Sequence, residues 1–385
     1  MTLVYQNPVS QFEAQIRRKN SHEPPKSFLD KSLAIAERRC CMSDRVTVLI
    51  TFELAPEYVN QIWGVDPRIE VLYAPDLVGR PRFPCDHGGP IDRTPAQEAC
   101  WRALLARSEI LFGFDPGQFS DLLQLAPRLK WIQSSSAGIG PWAKSMGLTA
   151  SKVVVTTASG IHATPLAEFA LMAMLMHVKD AFRMAADRKR KHWQRYTGAE
   201  LRGKTLAVVG LGSIGREVAR LARCCGMRVV GTKRTTAGVK PGSLGVETLY
   251  SWTGLCPMLS QADFVVLSCP HTPETERLIG AAELAAMKPG AVLINIARGA
   301  IVDEPALIHA LQSGRLAGAA LDVTAVEPLP ADSPLWNMAN VLLCPHSGSN
   351  VDSENRELTK LFCDNLRRYL AKEPLHNVLD ANLLY

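Results

Sequence analysis

Short apolar runs recur along the chain, and apolar residues at helical spacing fill the stretches between them. Arg45–Phe52 alternates apolar and polar positions, the period of a half-buried strand. Ile69–Leu72, Ile110–Phe112, Trp131–Gln133 and Val153–Thr156 read as further short strands, with helices at Pro95–Arg107 and Phe119–Leu125. Pro81–Pro95, rich in proline and glycine, reads as a loop. Thr164-Pro165 opens a long apolar helix, Leu166–Val178, with the proline in its first turn. A second series of strands follows at Leu206–Val209, Val229–Val230, Phe264–Leu267, Val292–Ile296, Ala319–Val323 and Val341–Leu343. Helices separate them, among them Glu283–Met287 and Glu304–Gln312. Strands that alternate with helices imply parallel sheets, so the pattern predicts an α/β protein with two doubly wound domains. Ser353–Leu370 is an amphipathic helix, expected to return to the first domain. The predicted division is a first domain over 43–160, a second over 161–345 and a return segment over 346–385. Residues 1–42 are polar, carry Pro24-Pro25, and are expected to form a poorly ordered extension, either an upstream addition to the fold or a short regulatory or targeting tail.

A length of 385 residues with 47% hydrophobic content suits two cores of ordinary size. The net charge of +6 is mild; it fits small anionic ligands and does not call for nucleic acid. The most basic run, Arg188-Lys189-Arg190-Lys191-His192, has no aromatic-interleaved module around it and reads as a solvated helix end or surface loop. Ten cysteines, including the adjacent pairs Cys40-Cys41 and Cys224-Cys225, form no CxxC. Reduced thiols in the cytoplasm are expected, without a disulfide framework or a metal site. Leu166–Val178 contains Glu168 and His177 and is too short to span a bilayer, and the first residues lack a secretory apolar region.

Thr205–Arg234 is the most informative stretch. An apolar run meets Gly210-Leu211-Gly212-Ser213-Ile214-Gly215, a helical pattern follows, and Val229-Val230 begins a second apolar run. Strand, glycine turn, helix and strand in that order form a dinucleotide-binding unit. Gly210 permits the tight turn, Gly212 lets backbone N–H groups approach a pyrophosphate, and Gly215 lets the helix pack on its strand. NAD-selective sites usually place a carboxylate at the end of the second strand, on the ribose 2′-hydroxyl. Lys233 and Arg234 stand there instead, followed by Thr235 and Thr236. Two cations would hold a 2′-phosphate, so the expected preference is NADP(H) over NAD(H); a solvated basic turn is the other reading.

Three polar residues follow late strands of the same domain, where open parallel sheets bind ligands. They are Arg298 after Val292–Ile296, Glu327 beyond Asp322-Val323, and His346 after Val341–Leu343. Each alone could be structural. Two other histidines, His87 and His162, have no assignment beyond a loop and a hinge or core position.

Residues from about 45 to 375 resemble the D-isomer-specific 2-hydroxyacid dehydrogenases. The matching stretches are Leu201–Thr205 ahead of the glycine turn, His271–Thr275, Asn295–Val302 (NIARGAIV), Leu316–Val323 (LAGAALDV), Glu327–Pro330 and Pro345-His346. The resemblance implies a Rossmann-type cofactor domain inserted in a flavodoxin-like substrate domain, and a homodimer. It implies Arg298, Glu327 and His346 as the catalytic trio. Arg298 would grip a carboxylate and polarise the adjacent carbonyl. His346 would give a proton to the developing alkoxide, with Glu327 fixing the ring and favouring the imidazolium. Backbone N–H groups of Ala137 and Gly138 would hold the substrate carboxylate. Cofactor contacts would come from Ser213 and Ile214 at the pyrophosphate, Pro270 and Thr275 at its flank, and Ile296, Ala297 and Arg298 beside the nicotinamide ribose. Asp322 would receive the carboxamide, with His346 and Gly348 closing that end. The implied activity is NADPH-dependent reduction of small 2-oxo acids of the glyoxylate or hydroxypyruvate type, with no nucleic acid or membrane partner. Departures from the family pattern (Thr324, Ser347 and the hydroxyl-rich Ser134-Ser135-Ser136) leave the identity of the 2-hydroxy acid open. Two other readings stay beside it. One is a biosynthetic dehydrogenase of a phosphorylated or branched substrate, which extra basic residues in first-domain loops would favour. The other is a cofactor-sensing, corepressor-like binding protein.

Overall fold

A computed structural model describes residues 45–114 and 121–384. The extension over 1–42 and the start of the helix expected from Phe119 lie outside those residues.

Five parallel strands form the first sheet: β1 (Val46–Ile50), β2 (Ile69–Leu72), β3 (Ile110–Phe112), β4 (Trp131–Gln133) and β5 (Val154–Thr156), in the order β2-β1-β3-β4-β5. Their apolar runs are continuous rather than alternating because both faces are covered. On one face Leu49, Leu111 and Ile132 meet Trp101 and Leu105 of helix α2 (Pro95–Arg107). That helix starts where Thr94 and Gln97 form a reciprocal capping box ahead of Pro95. On the other face Val48, Ile50, Ile110 and Trp131 meet Leu358, Phe362 and Leu366 of the last helix, Glu354–Ala371, and the Phe112 and Phe362 rings stack at 4.2 Å. The last helix thus packs on the first sheet. After it, Val378 bridges Thr156 antiparallel, closing the free edge of β5.

The second sheet has seven parallel strands: β6 (Thr205–Val209), β7 (Arg228–Thr232), β8 (Thr248–Tyr250), β9 (Phe264–Leu267), β10 (Ala291–Asn295), β11 (Leu316–Leu321) and β12 (Val341–Leu343). Their order is β12-β11-β10-β9-β6-β7-β8, so the winding reverses between β6 and β9. That reversal opens a crevice at the carboxyl ends of these strands. The long apolar helix, Ala163–Val178, packs its Leu166, Ala170 and Met174 on one face beside Val218 and Ala222 of the helix Ser213–Cys224. Both sheets belong to one unit that begins at Val46.

Helices with weak sequence signals complete the fold. They are α1 (Pro56–Trp63), α4 (Gly140–Ser145), α6 (Ala181–Arg190) and α8 (Leu255–Leu259), with α3 (Leu122–Leu125), α9 (Ala281–Ala286) and α10 (Glu304–Gln312) as expected. The helices at 163–178, 213–224 and 354–371 are α5, α7 and α11. The basic run begins in the last turn of α6, where Arg183 and Arg190 pair with Asp187. β11 begins at Leu316 and stops at Leu321, so Asp322 and Val323, expected within a strand, lie past the sheet. Among the described residues, no helix is long and apolar enough to cross a membrane, and the cysteines are free thiols.

Candidate active site

The glycine turn sits at the switch point of the second sheet. Gly210 has φ +101°, and a Cβ there would lie 2.6 Å from the Cys269 backbone nitrogen. A Cβ on Gly215 would lie 2.1 Å from the Gly210 carbonyl oxygen, so α7 starts directly against the turn. At Gly212 a Cβ would meet nothing within 4 Å. Gly212 caps α7 without a side chain, so no cap side chain accepts from the first-turn N–H groups of this helix. An open cradle before an uncapped helix start fits a dinucleotide pyrophosphate. Lys233 is half-buried and Arg234 exposed just past β7, at the same edge of the sheet.

Farther along this edge the three polar residues converge. His346 Nδ1 lies 2.8 Å from Glu327 Oε2, and the other Glu327 oxygen accepts from the Thr324 N–H at 3.1 Å. His346 itself has φ +51°, a sparsely populated conformation for a residue with a side chain. Its N–H donates to the carbonyls of Asp322 (2.8 Å) and Cys344 (2.9 Å), which hold it there. Burial lowers the proton affinity of the Arg298 guanidinium below its ordinary value, while the carboxylates of Glu327 and Asp322 oppose that. An arginine remains a cation under such a shift. Its Nη1 donates to the Ala297 carbonyl at 2.7 Å. The first domain reaches the same point: a Cβ on Gly138 would lie 2.1 Å from Arg298 Nη2. The Ala137–Gly138 loop therefore stands directly against this guanidinium.

Several expected cofactor residues also have structural partners. Asp322 is buried, and its Oδ1 accepts from the N–H groups of Ser347 (2.9 Å) and Gly348 (2.7 Å), so it clamps the loop that carries His346. Thr275 is buried and its hydroxyl donates to the Pro270 carbonyl at 2.8 Å, bracing the turn rather than standing open. Pro270 is exposed beyond β9, and Ile296 and Ala297 are buried beneath Arg298. Asn295 received no role from the sequence, although it opens the quoted NIARGAIV stretch. Its Oδ1 accepts from Ala297 N and its Nδ2 donates to the Arg298 carbonyl, each at 3.0 Å. A polar residue ending a fully apolar strand was the available signal. A cavity of about 860 Å³ lies at the opposite edge of the sheet, lined by Asp263, Gly290 and Asn340 ahead of β9, β10 and β12.

Fold and site define a doubly wound dinucleotide-binding protein with an imidazole–carboxylate pair and a guanidinium at the strand tips. Comparison with known proteins makes this specific. Residues 171–348 match the family model described as D-isomer specific 2-hydroxyacid dehydrogenase, NAD binding domain. Glyoxylate reductase from Thermococcus litoralis is 34% identical over 273 residues, 69% of this chain and 81% of that protein. D-3-phosphoglycerate dehydrogenase from Methanocaldococcus jannaschii is 33% identical over 262 residues, 68% of this chain and 49% of that protein. The chain thus spans about half the length of that relative. Among solved structures, an NADPH-dependent glyoxylate/hydroxypyruvate reductase from Sinorhizobium meliloti in complex with NADP and sulfate aligns with a TM-score of 0.71 at 27% identity, covering 89% of this chain and 100% of that one. The chain belongs to the D-isomer specific 2-hydroxyacid dehydrogenase family, and its second sheet is the core of the family's NAD-binding domain.

Proposed function

We propose that this protein reduces small 2-oxo acids to D-2-hydroxy acids with NADPH, in the manner of a glyoxylate or hydroxypyruvate reductase. The observation that carries the reading is the 2.8 Å His346–Glu327 pair beside a guanidinium that also touches the first domain. A reduced nicotinamide, held by the Gly210–Gly215 turn and by Lys233 and Arg234, supplies the hydride when bound. Arg298 pairs with the substrate carboxylate, helped by the Ala137 and Gly138 N–H groups. His346 donates a proton to the oxygen at C2, and Glu327 keeps its ring in register. The Sinorhizobium structure, with its NADP and sulfate, supports this reading by name and fold.

A phosphorylated substrate would need spare cations in the first domain's loops. Arg82 is already paired with Asp86 at 2.7 Å, and Arg93 binds Glu98 and the Leu77 carbonyl. Arg80 of the same loop is exposed, so the substrate panel, not this loop, separates the small acid from a phosphoglycerate-type substrate. The test is the loss of nicotinamide absorbance on incubation with a panel of unphosphorylated and phosphorylated 2-oxo acids. Glyoxylate or hydroxypyruvate is expected to give turnover above about 1 s⁻¹, in the common enzyme range. Turnover confined to phosphorylated acids would overturn the substrate choice, and turnover far below that on every acid would favour the binding-protein reading.

We further propose a cytoplasmic homodimer. The free thiols support the compartment. The dimer is supported by Trp193, which is 99% exposed on the segment after α6, and by the 860 Å³ cavity lined by Met176, Phe182 and Phe264, whose wall includes Lys189 and Thr197 on either side of Trp193 in the chain. A patch that carries both a knob and a hole is self-complementary under a two-fold axis. Sedimentation at micromolar concentration is expected to give twice the 42.1-kDa chain mass, and Trp193→Ser to shift it toward one chain. A monomer in both cases overturns the proposal.

A further inference from the structure

The chain passes between the two sheets at two places, and one buried carboxylate touches both. The first crossing runs from β5 to α5 and contains His162, the residue immediately before α5. The second runs from β12 to α11 and ends at Glu354, the first residue of α11. His162 Nε2 lies 3.2 Å from Glu354 Oε1, and the carboxylate can only accept, so the ring N–H donates. From a third side, the 81–89 loop of the first domain brings His87 Nδ1 to 3.9 Å from the same oxygen. His87 is held in turn: its Nε2 donates to Asn355 Oδ1 at 2.7 Å, and Phe52 packs edge-on at 4.4 Å. Cys85 Sγ donates to the Val351 carbonyl at 3.0 Å, tying this loop to the second crossing as well.

Glu354 is 6% exposed, and its Oε2 has no hydrogen-bond partner. A carboxylate out of water depends strongly on each donor it keeps. Burial pushes the His87 imidazole below its ordinary value; Asn355, Glu354 and Asp86 act against that, and His162 acts with it. With its Nε2 proton committed to Asn355, a neutral His87 offers Glu354 no donor. His162 is therefore the group on which the carboxylate relies, and the bond between them joins the two crossings.

We propose that Glu354 and His162 are positioning residues: their bond locks the two crossings together and sets how the Ala137–Gly138 loop of the first domain meets Arg298 of the second. Gly138 stands directly against the guanidinium, so a rotation of one sheet against the other changes how the loop and Arg298 meet. Loosening the lock lowers the fraction of molecules with a matched cleft. Apparent substrate affinity falls by that fraction, while saturating substrate restores the closed form. KM therefore rises and kcat is largely kept.

The kinetic part of the test rests on the proposed reductase reading; amide hydrogen exchange on the full chain without added ligand does not. His162→Ala and Glu354→Ala are expected to speed exchange in 157–163 and 346–353 about tenfold, the factor that one charge-assisted hydrogen bond commands. The strands of both sheets are expected to exchange as before. His162→Gln keeps an N–H donor and is expected to stay within about twofold of the parent. The same two disruptive variants are expected to raise the 2-oxo acid KM roughly tenfold with kcat within about threefold. Should His162→Ala fail to fold, Glu354→Ala against His162→Gln decides the matter. Unchanged exchange in both crossings of a folded Glu354→Ala variant overturns the proposal, as does a His162→Gln variant that exchanges like His162→Ala. If no 2-oxo acid is reduced at all, the exchange result still stands or falls by itself.

Discussion

His346→Ala is expected to lower kcat for 2-oxo acid reduction by roughly 10²–10⁴-fold, the usual contribution of a placed general acid. The expectation follows from the position of the ring. Its Nδ1 is occupied by Glu327 at 2.8 Å, so Nε2 is the nitrogen left to face a substrate. The backbone at His346 is held at φ +51° by two carbonyls and by the Asp322 clamp on the next two residues, so an alanine there leaves the loop in place and removes only the proton source. Cofactor affinity, measured by quenching of protein fluorescence, is expected to change little. Glu327→Gln is expected to lose less than His346→Ala, because the amide oxygen can still accept from the ring and orient it. Arg298→Ala is expected to lose both kcat and substrate affinity. Near-normal reduction by both alanine variants would refute the assignment of the trio.

Much of this arrangement was legible in the sequence because parallel α/β sheets write themselves as continuous apolar runs, and ligands gather where those runs stop. Arg298, Glu327 and His346 could be picked out as polar residues just past strand ends before any contact was known. The elements that escaped notice are those whose formation depends on the folded context. Helix α1 begins at Ala55-Pro56 with no side-chain cap, and β8 is a three-residue edge strand with little apolar content. The family resemblance gives Asp322 to the cofactor's carboxamide, yet one of its oxygens is already engaged by two backbone N–H groups. Whether it also meets a carboxamide depends on its remaining oxygen, which no pattern of residue types reveals. The His162–Glu354 bond was equally hidden, since its partners are far apart in sequence and meet only when both crossings have formed. Local periodicity reports what a segment buries; it does not report which distant segment supplies the hydrogen-bond partner.

Lys233→Ala/Arg234→Ala is expected to reduce kcat/KM for NADPH by roughly 10²–10⁴-fold and that for NADH by a small factor. Each charge-assisted hydrogen bond to a phosphate contributes about 1.5–3 kcal/mol, and about 1.4 kcal/mol is a tenfold change, so two contacts give that range. The two side chains leave the sheet immediately after Thr232, at the edge where the ribose of a cofactor on the Gly210–Gly215 turn would lie. Their surroundings refine the expectation. The Thr272 hydroxyl foremost, and Arg234 to a lesser degree, hold the Glu274 carboxyl below its usual range. Asp380 is lowered by the N–H groups of Leu383 and Asn382, again with a smaller share from Arg234. Arg234 therefore stands in the field of two carboxylates, and a 2′-phosphate has to compete with them for it. Screening weakens exposed charge pairs, so the KM for NADPH is expected to rise with ionic strength while that for NADH stays nearly flat. The half-buried Lys233 is expected to carry the larger share, because Arg234 gives up existing interactions when it turns to the phosphate. Single variants separate the shares: Lys233→Ala should cost more than Arg234→Ala. A parent enzyme that prefers NADH, or a double variant that loses both cofactors equally, would mean that these cations hold something other than a 2′-phosphate.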